Sequence, residues 1–69
     1  MTNVEISFTY GMSPDEAVMR GIDTIREVYG IRRLNFHEQS RTVQVEYDAT
    51  RLNSATVASL LRRSGLDLQ

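Results

Sequence analysis

An α+β sandwich, one antiparallel sheet with both helices on one face, is what this 69-residue chain predicts. Three observations lead there. Apolar and polar residues alternate in three short runs, the period of half-buried strands. Two other segments repeat apolar residues at three- and four-residue spacing, the stripe of an amphipathic helix. The order is strand, helix, strand, strand, helix, and a C-terminal stub. A right-handed crossover makes the first two strands parallel, with the third between them.

The first run sets Val4, Ile6, Phe8 and Tyr10 against Glu5, Ser7 and Thr9, and Gly11 breaks it. Ser13-Pro14-Asp15-Glu16 then predicts a helix start. Ser13 and Glu16 have capping-box spacing, Pro14 suits the first helical position, and two acids face the positive dipole end. Val18, Ile22, Ile25 and Tyr29 form the stripe, and Gly30 is expected to end the helix. Glu16 and Arg20 make an i, i+4 pair, favourable by roughly 0.3 kcal/mol. Ile31, Leu34 and Phe36 predict the second strand, with Asn35 and His37 on its other side. After the polar turn Glu38-Gln39-Ser40-Arg41, Val43, Val45 and Tyr47 predict the third strand and an antiparallel hairpin. Asn53 is the expected cap of a second helix striped by Val57, Leu60 and Leu61. Arg62 and Arg63 fall in its last turn, Gly65 closes it, and Leu66-Asp67-Leu68-Gln69 reads as a stub of a fourth strand. One sheet covered on one face buries every stripe, which is the ferredoxin-like βαββα(β) sandwich. The length suits a single domain over residues 1–69.

Composition narrows the function. Cysteine is absent, which excludes disulfides, a thiolate nucleophile and Cys-ligated zinc or iron–sulfur centres. Eight cations, all Arg, meet nine acids for a net charge of -1, a balance unlike that of a general nucleic-acid or membrane-surface binder. No apolar run approaches the roughly 20 residues of a membrane span. Met1 to Val4 lacks the basic-then-apolar order of a signal peptide, so a cytoplasmic location is expected.

The candidate chemistry is sparse. Lone His37 with Glu38 supplies too few ligands for a specific metal site. Asp15 and Glu16 are explained by the helix start, and acid–base work would need a pocket and a partner. The pairs Arg32-Arg33 and Arg62-Arg63 suit phosphate or an acidic partner, but nine carboxylates balance them and make a salt-bridged surface the default. RNA recognition motifs share this topology but stack bases on aromatics of the open sheet face. Glu5, Ser7, Thr9, Gln44 and Glu46 stand on that face here. No phosphate-cradling glycine loop and no nucleophile elbow occur, so an enzyme is not expected.

From Gly11-Met12 onward the chain resembles the heavy-metal-associated domains of copper chaperones, mercury-binding proteins and metal-transporting P-type ATPases. That family has a strand, then Gly-Met-x-Cys-x-x-Cys and a helix ending in Gly-Val. A third strand ending in Tyr-Asp and a helix ending in Gly-Tyr come later. This chain has Gly11-Met12-Ser13-Pro14-Asp15-Glu16-Ala17, then Gly30-Ile31, Tyr47-Asp48 and Gly65-Leu66. The spacings from Gly11 to Gly30 and from Asn53 to Gly65 fit without a gap, and the similarity covers nearly the whole chain.

The departures carry the functional content. Pro14 and Ala17 stand where the family has its two metal-binding cysteines. Neither offers a ligand atom, and Ser13, Asp15 and Glu16 offer hard oxygens unsuited to Cu(I). In the family Met12 is a buried plug beneath the loop, so its sulfur is expected to be occupied by packing. The apolar positions of the first strand are offset by one from the family's, which predicts a bulge or a one-residue insertion near Thr9-Tyr10.

The resemblance therefore implies a non-catalytic domain that has lost its soft-metal site and holds no cofactor. Its expected role is protein–protein interaction or regulation, linked to metal transport. Carried over from the family, the docking surface comprises Met12, Ser13, Asp15, Glu16, Arg20, Arg62 and Arg63. The alternative is metal binding through oxygen and imidazole by Asp15, Glu16, His37 and Glu38. The expected partner is a protein, with neither nucleic acid nor membrane insertion. The first strand's edge, if the stub pairs poorly, predicts a homodimer or a chain that continues in a larger protein.

Overall fold

The structure is a computed structural model that describes residues 2–69; Met1 lies outside the described residues. Its elements are β1 (Asn3–Thr9), α1 (Glu16–Arg26), β2 (Ile31–His37), β3 (Thr42–Asp48) and α2 (Ser54–Arg63). The sheet order is β1-β3-β2, with both outer strands antiparallel to β3. This is the predicted ferredoxin-like topology. The core lies between the sheet and the helices, where Ile22, Ile25, Val57 and Leu61 meet Tyr10, Leu34, Val43, Val45 and Tyr47.

Strand registers explain which side chains reach that core. β1 pairs with β3 without interruption from Asn3↔Asp48 to Thr9↔Thr42, and Tyr10 N–H extends the ladder to Arg41 O at 2.9 Å. The expected bulge near Thr9-Tyr10 is therefore absent. Unbroken alternation carries Ile6, Phe8 and Tyr10 inward, and Tyr10 fills the end of the core at 1% exposure. The irregularity sits in β2 instead. Ile31 faces Tyr47 while Arg33 faces Glu46. The extra residue, Arg32, puts Ile31 and Leu34 on one face although they stand three apart.

Helix α1 begins two residues later than predicted. Its cap is Asp15, whose Oδ1 accepts from Val18 N–H at 2.9 Å. Ser13 is not the cap, Pro14 precedes the helix, and Glu16 pairs with Arg20 at 2.7 Å instead of reaching back. The cause is the strand before it. Gly11 N–H still bonds Asp67 O at 2.9 Å, so extended pairing persists to Gly11 and the chain needs Met12 to Pro14 to climb to the helix layer. The helix also stops early, at Arg26. Tyr29 therefore leaves the expected stripe. It is 71% exposed, with the Arg51 guanidinium stacked 4.3 Å from its ring centre. Gly30 takes φ 104° beyond this turn and not at the helix cap.

Helix α2 follows its prediction. Asn53 Oδ1 accepts from Thr56 N–H at 2.8 Å, and Gly65 closes the helix with φ 99°. The helices touch through Gly21, where a Cβ would stand 2.9 Å from Ser64 Cβ and 3.1 Å from Ser64 Cα. The C-terminal stub makes one isolated bridge, Tyr10↔Leu68.

Candidate functional site

The segment from Gly11 to Ala17 crosses from β1 to α1 at the end of the sheet that carries the 38–41 turn. Two long-range bonds fix its start. Arg41 Nη1 donates to Gly11 O at 3.0 Å, and Gly11 N–H donates to Asp67 O. Asp15 fixes its end by capping α1. Between these anchors, no hydrogen bond holds Met12 or Ser13 among the described residues.

Met12 is 71% exposed. The expectation of a buried plug fails here. The thioether stands at the rim of a shallow cleft of about 110 Å3, lined by Ser13, Pro14, Asp15, Val18, Leu66 and Asp67. Beneath the loop, Leu66 is 4% exposed and Tyr10 is nearly fully buried. These two side chains occupy the end of the core, and Tyr10 meets Phe36 edge to face at 5.7 Å. A third apolar side chain from the loop is therefore left outside. The sequence signal for this was Tyr10, directly before Gly11 at an inward strand position.

Pro14 and Ala17, the two expected ligand positions, flank the start of α1. Pro14 is half-buried in the cleft wall, and Ala17 is exposed in the first turn of α1. Of the two carboxylates between them, Asp15 is engaged as the cap and Glu16 pairs with Arg20. Among the described residues no three His, Asp or Glu side chains gather as a group able to hold a metal ion. Asp15, Glu16, His37 and Glu38 thus do not form one ligand set. His37 lies on the open sheet face, its Nε2 3.4 Å from Gln44 Oε1.

The seven expected docking residues run from the first loop along α1 to the end of α2. Met12, Ser13 and Asp15 share the cleft. Glu16 and Arg20 neutralise each other on the exposed side of α1. Arg63 borders a separate, mostly apolar groove of about 290 Å3 between the helices, with Gly21, Ile25, Val28 and Leu60. Arg62 is exposed near the end of α2. Leu66 and Asp67 belong to the cleft but were missed, because their placement depends on the C-terminal stub folding back beside Gly11.

Among the described residues, Tyr10 and Asp48 have perturbed ionisation. Burial raises the Tyr10 hydroxyl above its ordinary value, with a smaller upward push from the Glu38 carboxylate and an opposing one from Arg41. Its hydroxyl is buried without a hydrogen-bond partner among the described residues. Asp48 is lowered, first by hydrogen bonds from the Thr50 hydroxyl and amide, against burial, with help from Arg32 and Arg51. Asp48 ends β3 at the start of the connection to α2, away from the first loop, and its role is to brace that connection.

No family model and no curated protein sequence matches the chain. The solution structure of apo-CopP from Helicobacter pylori is similar in fold, with a TM-score of 0.78 and 16% sequence identity. The match covers 96% of this chain and 100% of that one. Together with the strand order, it establishes that this chain has the ferredoxin-like fold that the resemblance to heavy-metal-associated domains implies.

Proposed function

We propose that this chain is a non-catalytic, heavy-metal-associated-like domain that has lost soft-metal binding and works by engaging a protein partner, in a setting linked to metal transport. The observation that carries it is the occupancy of the two expected ligand positions. Pro14 and Ala17 have no side-chain donor atom, and of the two intervening carboxylates Asp15 accepts from Val18 N–H while Glu16 pairs with Arg20. Supporting it, the loop keeps its scaffold while presenting Met12 to solvent above a small cleft. A flexible thioether on a rigid rim suits an apolar protein contact. Asp67 and Asp15 at the same cleft favour a partner with a cation beside its apolar anchor. Cytoplasmic residence belongs to the same reading, and fractionation of cells carrying the tagged chain checks it.

Titration with Cu(I) against a competing chelator tests the proposal. The natural chain is expected to take no Cu(I) from the chelator, whereas the double variant Pro14→Cys, Ala17→Cys is expected to take one equivalent. Stoichiometric binding by the natural chain overturns the reading. Failure of the double variant, folded by circular dichroism, overturns the assignment of the two ligand positions.

A further inference from the structure

The two edges of the sheet are built differently. β2 carries a bulge at Arg32, and Arg32 and Arg33 follow each other there. Bulges and cations are the devices that keep an edge from pairing with another chain. β1 has neither. It is straight over Asn3–Thr9, with no bulge and no Pro, and Glu5 is its one charge.

The outward backbone groups of β1 can be named. Tyr10 N–H donates to Arg41 O, and Thr2 O accepts from Ala49 N–H, so the even-numbered residues face β3. Asn3, Glu5, Ser7 and Thr9 therefore turn their N–H and C=O outward. The C-terminal stub satisfies only one end, where Gln69 N–H donates to Thr9 O at 2.8 Å. On the helix side, Val4 is 37% exposed, and Ile6 and Phe8 are half-buried. Ile6 and Phe8 pack partly against the core, and Val4 is left at its uncovered margin.

We propose that β1 pairs antiparallel with β1 of a second copy of this chain, about a two-fold axis at Ile6. This register is selected by charge and by hydrogen bonding. Glu5 of each copy faces Ser7 of the other, both with outward backbone groups, so each such pair exchanges two hydrogen bonds. Ile6 then meets Ile6, and Val4 meets Phe8, as close pairs on the helix side that cover the exposed apolar margin. Sliding the copies until Glu5 faces Glu5 places like charges opposite each other, beside the Glu46 already opposite each Glu5. The stub limits the ladder at both of its symmetric ends, since Gln69 of each copy occupies the position beside Thr9 that Asn3 of the other would take. Such a two-strand contact is small, below about 1,200 Å2, so a weak, concentration-dependent dimer is expected. The inference is independent of the loop and its metal chemistry.

Sedimentation velocity over a wide concentration range tests it, on the natural chain and on Ser7→Pro. Ser7 N–H points away from β3, so proline there blocks the new ladder without removing an existing sheet bond. Dimerisation of the natural chain, weakened about tenfold or more in Ser7→Pro, supports the proposal. A natural chain that stays monomeric overturns it, as does a folded Ser7→Pro that dimerises equally well. Amide exchange provides a reading on the natural chain alone. The Glu5 and Ser7 amides should slow with rising concentration, and fast exchange at both in a dimeric sample overturns the proposal.

Discussion

The chain passes from strand to helix twice, and the two passages are built to opposite purposes. Between β3 and α2, backbone and side chains are consumed by structure. Asp48 Oδ1 accepts from Thr50 N–H at 3.0 Å and from its hydroxyl at 2.7 Å, while Asp48 O accepts from Arg51 and Leu52 N–H at 3.0 Å each. Asp48 Oδ2 stands 3.9 Å from Arg32 Nη2, and Asn53 then caps the helix. Between β1 and α1, the ends alone are fixed, by Arg41 and Asp67 on Gly11 and by Asp15 on the helix. The middle, Met12 and Ser13, is left to solvent. One passage is a brace, the other an anchored loop that displays side chains. Loops held by a rigid scaffold are where recognition concentrates.

The largest expected break in this contrast is Asp48→Ala. It leaves the Thr50 amide and hydroxyl without their acceptor and Arg32 without its carboxylate. The fall in Tm by calorimetry should exceed that of any variant in the first passage. The same carboxylate sets an acid limit. Its folded-state pKa is lowered, so its contribution is complete above the ordinary carboxylate value of about 3.9. It is lost as pH falls through the depressed folded value. Asp48→Asn should flatten that acid arm of the stability–pH profile, and an unchanged arm in urea titrations counts against the brace.

The caps come next. Asn53→Ala and Asp15→Ala should each cost about 1 kcal/mol in chemical denaturation, because each side chain satisfies one amide at its helix start. Equal costs sharpen the contrast, showing that the passages differ in their middles and not in their ends. The smallest effect belongs to Met12→Ser, expected to change stability by less than about 0.5 kcal/mol because the side chain is exposed. A cost of several kcal/mol would mean that Met12 is packed as a core residue after all.

Asn53 was legible because its signals are local: a cap residue, then an apolar stripe, then a glycine. At the first helix the local signals pointed to Ser13, with Asp15 expected in the first turn. Ser13 fitted the capping-box spacing, but Asp15 took the role because strand pairing extends through Gly11, a contact made with Asp67 from the other end of the chain. Tyr29 continued the helical period in sequence and still fell outside the helix, since the last turn opens before Gly30. The β2 bulge was implied by Ile31 and Leu34 standing three apart. Which strand would carry an irregularity was misassigned to β1, because register depends on the partner strand.

The sequence alone determined the order of elements, the strand topology and the absence of thiolate ligands at Pro14 and Ala17, since periodicity, caps and residue chemistry are properties of neighbours along the chain. Tertiary structure decided the rest. Tyr10 and Leu66 fill the core end from opposite termini and leave Met12 in solvent, and the stub covers only the last residues of β1. Those outcomes turn on how much volume and how many outward backbone groups remain once distant segments meet, which no local pattern encodes.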